Sequence, residues 1–329
     1  MNALALQWRD LYAEDQQATP FQSSAWLTAW ARHLPYTAMP IVLAATSPTG
    51  RWLAALALVR RVDGDRTRIL PLSAPHAECV LPVGPHADNA SVSQALAFHL
   101  LLADDAGADV LMTDVPVSSA LGTTLMLLCH NTGWNCAATP NAAIQLPLHY
   151  GRLAASTRRE HARRRRTWTR LAAAGRTITY TRTRHMADLL QTFDVLCALH
   201  QQRRAGEASL PGSLTAADRY QWYDVLRELG AAHACIATLA VDSTVIAAQL
   251  LLTRGPRCYS LILATDPAQR HLAPGHALLR HLTEDLASEG FHVLDLGRSV
   301  GAKQSYKQQY RPPRTSTLPT LSTPSGTAA

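Results

Sequence analysis

The sequence has 329 residues, of which 47% are hydrophobic and 17% are charged, and its formal net charge is +7. This length suggests two domains or one large one, and so apolar a chain can bury a sizeable core, which excludes a wholly disordered protein. No apolar run approaches the roughly 18–20 residues that a membrane-spanning helix needs. Because Arg9 and Asp10 come too early for the apolar part of a signal peptide, we expect a cytoplasmic protein.

Cysteine and histidine are dispersed along the chain. The six cysteines form no CxxC pair, and none of the 14 histidines belongs to an HExxH motif. This spacing predicts reduced thiols and no metal cofactor.

In the first half of the chain, apolar periodicity predicts alternating helices and strands. The predicted helices are 24–33, 91–102 and 121–130, and the predicted strands are 41–45, 52–62, 67–72 and 109–114. The sequence Asp63-Gly64-Asp65 between two of these strands indicates a hairpin. This order fits a mixed sheet flanked by helices.

The second half repeats this alternation. A capping box of Thr157 and Glu160, with Gly175 at the other end, predicts a helix over 157–175. The elements predicted after it are strand 177–181, helices 186–202 and 216–229, strands 235–241, 244–253 and 257–264, helix 275–288 and strand 292–296. The Pro/Ser/Thr-rich residues after Pro312 show no periodicity, and we expect them to be disordered.

One short segment accounts for the positive charge. Residues 151–186 contain 11 arginines and a single acidic residue, Glu160. On the predicted helix, a spacing of 4, 3 and 4 places four arginines on one face and turns Trp168 inward. These polyanion-binding candidates are Arg159, Arg163, Arg166 and Arg170. Three interpretations stay open: a solvated helix face, phosphate contacts to nucleic acid such as tRNA, and an anionic membrane or polysaccharide-assembly surface.

A candidate anion site lies at the junction of strand 257–264 and the helix that follows. Pro274 suits the first helical position, and backbone amides at a helix start attract groups such as a pyrophosphate. The alternative is an ordinary glycine-containing loop.

The junction has the sequence Arg270-His271-Leu272-Ala273-Pro274-Gly275. It resembles the acyl-CoA-binding loop of the GNAT (GCN5-related N-acetyltransferase) superfamily, whose pattern is Arg/Gln-x-x-Gly-x-Gly/Ala. Further segments are similar, in the same order, to tandem-GNAT proteins described as cellulose-biosynthesis-associated acetyltransferases. These segments are 21–26, 171–175, 193–200, 246–248, 273–275, 295–297 and 306–307. The resemblance implies an α/β protein with two tandem GNAT-like domains, in which mixed sheets are flanked by helices. We expect a degenerate N-terminal domain at 1–150, a C-terminal domain with the donor and catalytic site at 151–312, and a disordered tail at 313–329.

The resemblance also implies acetyl-CoA or another acyl-CoA as the donor, a small-molecule primary amine as the acceptor, and no metal. The cofactor-binding candidates are Arg270, Ala273, Gly275, His276 and Ala277. Ala273 replaces the first glycine of the family pattern, and Pro274 has no N–H to donate, so this loop offers fewer donors than the pattern predicts.

The catalytic candidates follow the last predicted strand or lie on helix 186–202. By resemblance, Tyr306 is the general acid, and Lys307 beside it binds an anionic group or lowers the pKa of Tyr306. Lys303 and Lys307 are the only lysines in the chain, although a solvated surface helix would explain them equally well. The remaining candidates are Asp295 and His200 for catalysis, and Gln249, Arg203 and Lys303 for substrate binding. A structural role for His200 is the alternative.

Three functions follow. The first is acyl-CoA-dependent N-acylation of a primary amine, with a link to exopolysaccharide or secondary metabolism. The second is aminoacyl-tRNA-dependent transfer, since Fem-type peptidyltransferases share the tandem fold. The third is a non-catalytic accessory role in polysaccharide assembly. The sequence leaves the acceptor and the oligomeric state open.

Overall fold

A computed structural model describes residues 2–132, 134–204, 214, 216–298, 307, 309–310 and 315–322. The helices are α1 Asn2–Glu14, α2 Ser24–Arg32, α3 Ala90–Asp105, α4 Ala120–Thr132, α5 Ala155–Ala173, α6 Met186–Arg204, α7 Ala216–Leu229 and α8 Pro274–Ser288. The strands are β1 Ala38–Thr46, β2 Trp52–Asp63, β3 Arg66–Pro71, β4 Ala108–Val110, β5 Val115–Pro116, β6 Asn135–Gln145, β7 Ile178–Arg182, β8 Ala234–Val241, β9 Thr244–Arg254, β10 Arg257–Thr265, β11 Val293–Arg298 and β12 Thr315–Ser322. Within these ranges, no helix is both long and apolar enough to cross a bilayer.

The chain forms two compact units. Unit 1 comprises residues 1–141 and 314–329, and unit 2 comprises residues 142–313. The boundary therefore falls inside β6, nine residues before the predicted boundary at 150/151, and the C-terminal residues belong to unit 1.

Unit 1 contains a sheet in the order β1-β2-β3-β4, antiparallel except for the parallel pair β3–β4. The predicted hairpin is confirmed: β2 and β3 pair from Asp63↔Arg66 onward, and Gly64 has a φ of 67° that suits glycine in a tight turn. Trp8 and Leu11 of α1 join Ala55 of β2 in a buried cluster.

The expectation of a disordered C-terminal tail is wrong for residues 315–322, which form β12. This strand pairs antiparallel with β5 and with the first part of β6. Its register against β6 shifts between Thr317 and Thr320, where Pro319 has no N–H to contribute. Strand pairing satisfies the backbone of a segment whose composition by itself indicates disorder.

The sheet of unit 2 runs in the order β6-β11-β10-β9-β8-β7, with residues 142–145 contributed by β6. Strands β7 to β10 are antiparallel, whereas β10 and β11 are parallel and joined by α8. Strands β8 and β9 are joined by a tight turn, in which Asp242 and Ser243 both have positive φ angles, of 49° and 67°.

Helices cover both faces of this sheet. Leu278, Leu282 and Leu286 of α8 pack with Leu239 and Leu251 of the sheet in one buried cluster. Helix α6 packs on β8, β9 and β10, and its buried residues are not part of that cluster, so it covers the opposite face.

Helix α5 forms where a helix was predicted, but it starts differently. Its N-cap is Ala154, which makes no side-chain hydrogen bond, so the predicted capping box of Thr157 and Glu160 is wrong. Glu160 instead pairs with arginines one turn further along the helix. As predicted, Trp168 points inward, and its Nε1 donates to the Leu272 carbonyl at 3.0 Å.

Candidate functional site

The sheet of unit 2 opens between β10 and β11. These strands pair in parallel at three positions only, from Arg257↔Val293 to Tyr259↔Asp295, although each continues beyond that point. A β-bulge on β10 between Ser260 and Ile262 lies directly after the last pair. Bulges bend a strand, and they occur often beside active sites. Backbone groups on this side of β10 therefore face a gap instead of a neighbouring strand.

Helix α8 begins at the same end of β10 as this gap. A β-carbon added at Gly275 would lie 3.4 Å from Leu263 and from Thr265, so the first turn of α8 touches the last residues of β10. Ala273, the N-cap, has a φ of 49° and a ψ of 55°. This left-handed conformation is one that glycine adopts readily, which fits the glycine that the family pattern has at this position.

Few of the predicted donors at the start of α8 point away from the protein. The amides of His276 and Ala277 both donate to the Ala273 carbonyl, at 3.1 and 3.3 Å. In the described part of the chain, no acceptor faces the Gly275 amide or the exposed Arg270 guanidinium. Gly275 and Arg270 are therefore the groups best able to bind an anion here.

The side chain of His276 points towards α5. Its ring lies 6.2 Å from that of His161, which in turn lies 5.6 Å from the ring of Tyr310. Burial, with a smaller contribution from the positive charge of Arg164, lowers the pKa of His276 to about 4. The imidazole is therefore neutral at neutral pH and adds no cation to the start of α8.

Two candidates on α6 lie over the sheet. Nη1 of Arg203 donates to the Leu263 carbonyl at 3.3 Å, on the part of β10 that extends beyond its pairing with β11. His200, one turn earlier, is 6% exposed. Arg203 is therefore placed beside the gap, whereas His200 is largely enclosed.

Gln249 lies in the core beneath α8. It is 2% exposed, and its Nε2 donates to the hydroxyl of Ser260 at the bulge. Its Oε1 has no hydrogen-bond partner among the described residues. Sequence reasoning missed Ser260, because a bulge inside an apolar strand leaves no signal in the sequence.

Asp295 and Lys307 hold the end of β11. Oδ1 of Asp295 accepts from the Gly297 amide at 2.7 Å, and Gly297 has a φ of 69° that bends the strand. Lys307 is 9% exposed, and its Nζ donates to the carbonyls of Leu296 and Arg298 at 2.5 and 2.7 Å. The predicted catalytic Tyr306 and the predicted substrate-binding Lys303 lie outside the described residues.

The arginine face of α5 is exposed, as its spacing predicts. One member, Arg163, forms a bidentate ion pair with the Glu160 carboxylate, in which Nε and Nη2 donate at 2.8 and 2.7 Å. Hydrogen bonding from Arg163 is the main reason that the pKa of Glu160 falls to about 2. Within the described ranges, no carboxylate pairs with Arg159, Arg166 or Arg170, and these three carry the free positive charge of the face.

Residues 155–308, which include the gap and the start of α8, match the model of the acetyltransferase (GNAT) domain family. This segment is therefore similar to the domains of that family. The GNAT part of the sequence resemblance is thereby confirmed, whereas the cellulose-associated subgroup stays a prediction. No curated protein matches the chain significantly.

Solved structures extend the likeness to the whole chain. A crystal structure of FemX has a TM-score of 0.62 at 11% identity, over 96% of this chain and 94% of that one. L-PGS from Bacillus licheniformis has a TM-score of 0.51 at 14% identity, over 85% and 83%. A tandem GNAT protein from the clavulanic acid biosynthesis pathway has a TM-score of 0.51 at 15% identity, over 99% and 97%. The predicted α/β fold with two tandem GNAT-like domains is confirmed.

Proposed function

We propose that unit 2 transfers an acyl group from an acyl-CoA donor to a primary amine. The observation that carries this proposal is the gap between β10 and β11, which opens at the end of β10 where α8 begins. An extended acyl-pantetheine arm could pair with the backbone groups that β11 leaves unpaired. The phosphates would then lie by the Gly275 amide and Arg270, where the helix dipole also favours negative charge.

The chemistry requires a neutral amine beside the thioester. The amine nitrogen bonds to the acyl carbon and loses a proton, the carbon–sulfur bond breaks, and the departing thiolate takes up a proton. By resemblance, Tyr306 supplies that proton. We expect Tyr306→Phe to lower turnover strongly while leaving donor affinity unchanged, because only the late proton transfer is lost.

The donor site is tested by calorimetric titration with acetyl-CoA. We expect saturable binding that Arg270→Glu weakens about tenfold or more, because the change reverses a charge facing the phosphates. Arg257→Glu is the matched control, since Arg257 is also exposed but lies at the opposite end of β10. A wild-type protein that does not bind acetyl-CoA, or equal effects of the two variants, would contradict the proposed donor site.

A second candidate is transfer from aminoacyl-tRNA. It is favoured by Arg159, Arg166 and Arg170 on α5, and by the small number of outward-facing amides at the start of α8. We then expect tRNA binding that weakens as the salt concentration rises. The slope of the logarithm of the binding constant against the logarithm of the salt concentration should be smaller by about two in the double variant Arg166→Glu/Arg170→Glu. Binding of bulk aminoacyl-tRNA that is absent or independent of salt would remove this candidate. Acetyl transfer by the purified chain would exclude a non-catalytic accessory role.

A further inference from the structure

A cleft of about 680 Å³ lies in unit 2 and shares no residue with the proposed donor site. Its walls are the end of β6, the loop and 3₁₀ helix that follow, the first turn of α5, and Tyr310. This volume lies within the roughly 300–1,000 Å³ that is usual for small-molecule sites.

One part of the cleft is apolar. Leu148 is half-buried at the edge of the core and keeps accessible apolar surface, whereas Ile144 and Leu153 also line the cleft but are only 1% and 4% exposed. Such a surface can take up the hydrocarbon part of a ligand and shield it from water.

The polar part of the lining carries positive charge. It contains Arg152 and Arg158 with His149, and none of the lining residues is acidic. Nη1 of Arg158 donates to the carbonyls of Gly151 and Leu153, at 3.1 and 2.9 Å, which fixes the guanidinium at the wall.

Arg158 keeps binding capacity in this position. In the described part of the chain, no acceptor faces the other guanidinium nitrogens, Nε and Nη2. Their N–H groups are suited to bind the oxygens of a carboxylate or phosphate. The N-cap Ala154 also lines the cleft and offers no side chain to the first amides of α5, so these add partial positive charge.

We infer that this cleft binds a small amphipathic oxyanion. The carboxylate or phosphate head contacts Arg158, and an apolar body of a few carbons lies against the accessible surface of Leu148. This assignment does not depend on the proposed acyl transfer.

The test is calorimetric titration of the full chain with four probes: hexanoate, hexyl phosphate, hexylamine and inorganic phosphate. We expect at least one hexyl oxyanion to bind more tightly than both hexylamine and inorganic phosphate. The tighter of hexanoate and hexyl phosphate identifies the headgroup. Equal binding of hexylamine would refute the charge argument, and equal binding of inorganic phosphate would refute the role of the apolar wall.

Variants assign the binding to the cleft. Arg158→Gln should lower the affinity for the hexyl oxyanion about 10- to 100-fold, and Arg158→Lys should retain part of that affinity. Arg159→Gln, a change in the neighbouring exposed arginine outside the cleft, should have no effect. Because Arg158 also supports the loop carbonyls, Arg152→Gln is a second probe, and we expect it to weaken binding several-fold. If affinity survives both Arg158→Gln and Arg152→Gln, the site is not this cleft. Acetyl-CoA binding by the same variants reports separately on the donor site.

Discussion

Replacing Lys307 with methionine separates a structural role for this lysine from a catalytic one. Its buried Nζ donates to the carbonyls of Leu296 and Arg298, at 2.5 and 2.7 Å. A hydrogen bond from a charged donor contributes about 1.5–3 kcal/mol, and burying the ammonium costs several kcal/mol. Since methionine leaves the Leu296 carbonyl without its ammonium donor, we expect a net loss of about 3 kcal/mol in the stability of unit 2.

The assay is scanning calorimetry of the full chain, with acetyl transfer measured on the same samples. For a unit of this size, about 3 kcal/mol corresponds to a fall of about 6–12 °C in Tm. Lys307→Arg keeps a charged donor and should recover part of that loss. A variant Lys307→Met that melts within about 2 °C of wild type yet loses turnover would refute the structural argument and place Lys307 in the chemistry.

Three further predictions concern unit 2. His276 has a folded pKa of about 4 against 6.5 for the free side chain, so the unfolded chain takes up the proton more readily. Acidification from pH 6.5 to 4 should therefore cost up to about 3 kcal/mol of stability, and urea titrations should show a shallower loss in His276→Gln. Ala273→Gly removes the strain of an alanine in the left-handed conformation and should leave the Tm unchanged or raise stability by up to about 1 kcal/mol. The β-branched Ala273→Val should lower stability by about 2 kcal/mol, and an unchanged Tm in this variant would refute the strain. Arg182→Met should cost about 1.5–3 kcal/mol, because this guanidinium is 5% exposed and donates to two carboxylates, which Arg184 still partly compensates. Arg184→Met, in which the replaced side chain is 52% exposed, should cost less than about 1 kcal/mol, and equal melting temperatures of the two variants would contradict this.

Local patterns predicted most of the elements. The sequence predicts helix α7 at 216–229, and it lies at Ala216–Leu229. The turn between β2 and β3 lies where Gly64 indicates it. These features depend on periodicity and turn chemistry within a few residues, which a sequence displays directly.

Predictions that depended on a choice of partner failed more often. Glu160 was expected to cap α5, but arginines on the next turn bind its carboxylate instead. The C-terminal residues lack periodicity, yet 315–322 form a strand because β5 and β6 offer unpaired backbone. The local sequence does not show which groups Glu160 binds or which strands residues 315–322 pair with.

The candidate site shows the same division. The sequence by itself marked Ala273, Gly275 and Lys307 as unusual, through a departure from a pattern, a helix start and the rarity of lysine. Only the tertiary structure decided that Lys307 supports β11, that Ser260 lies at a bulge beside the gap, and that Arg158 faces a cleft. The physical reason is that each of these roles depends on strand register and on packing between distant segments. Composition and spacing determine neither the strand register nor this packing.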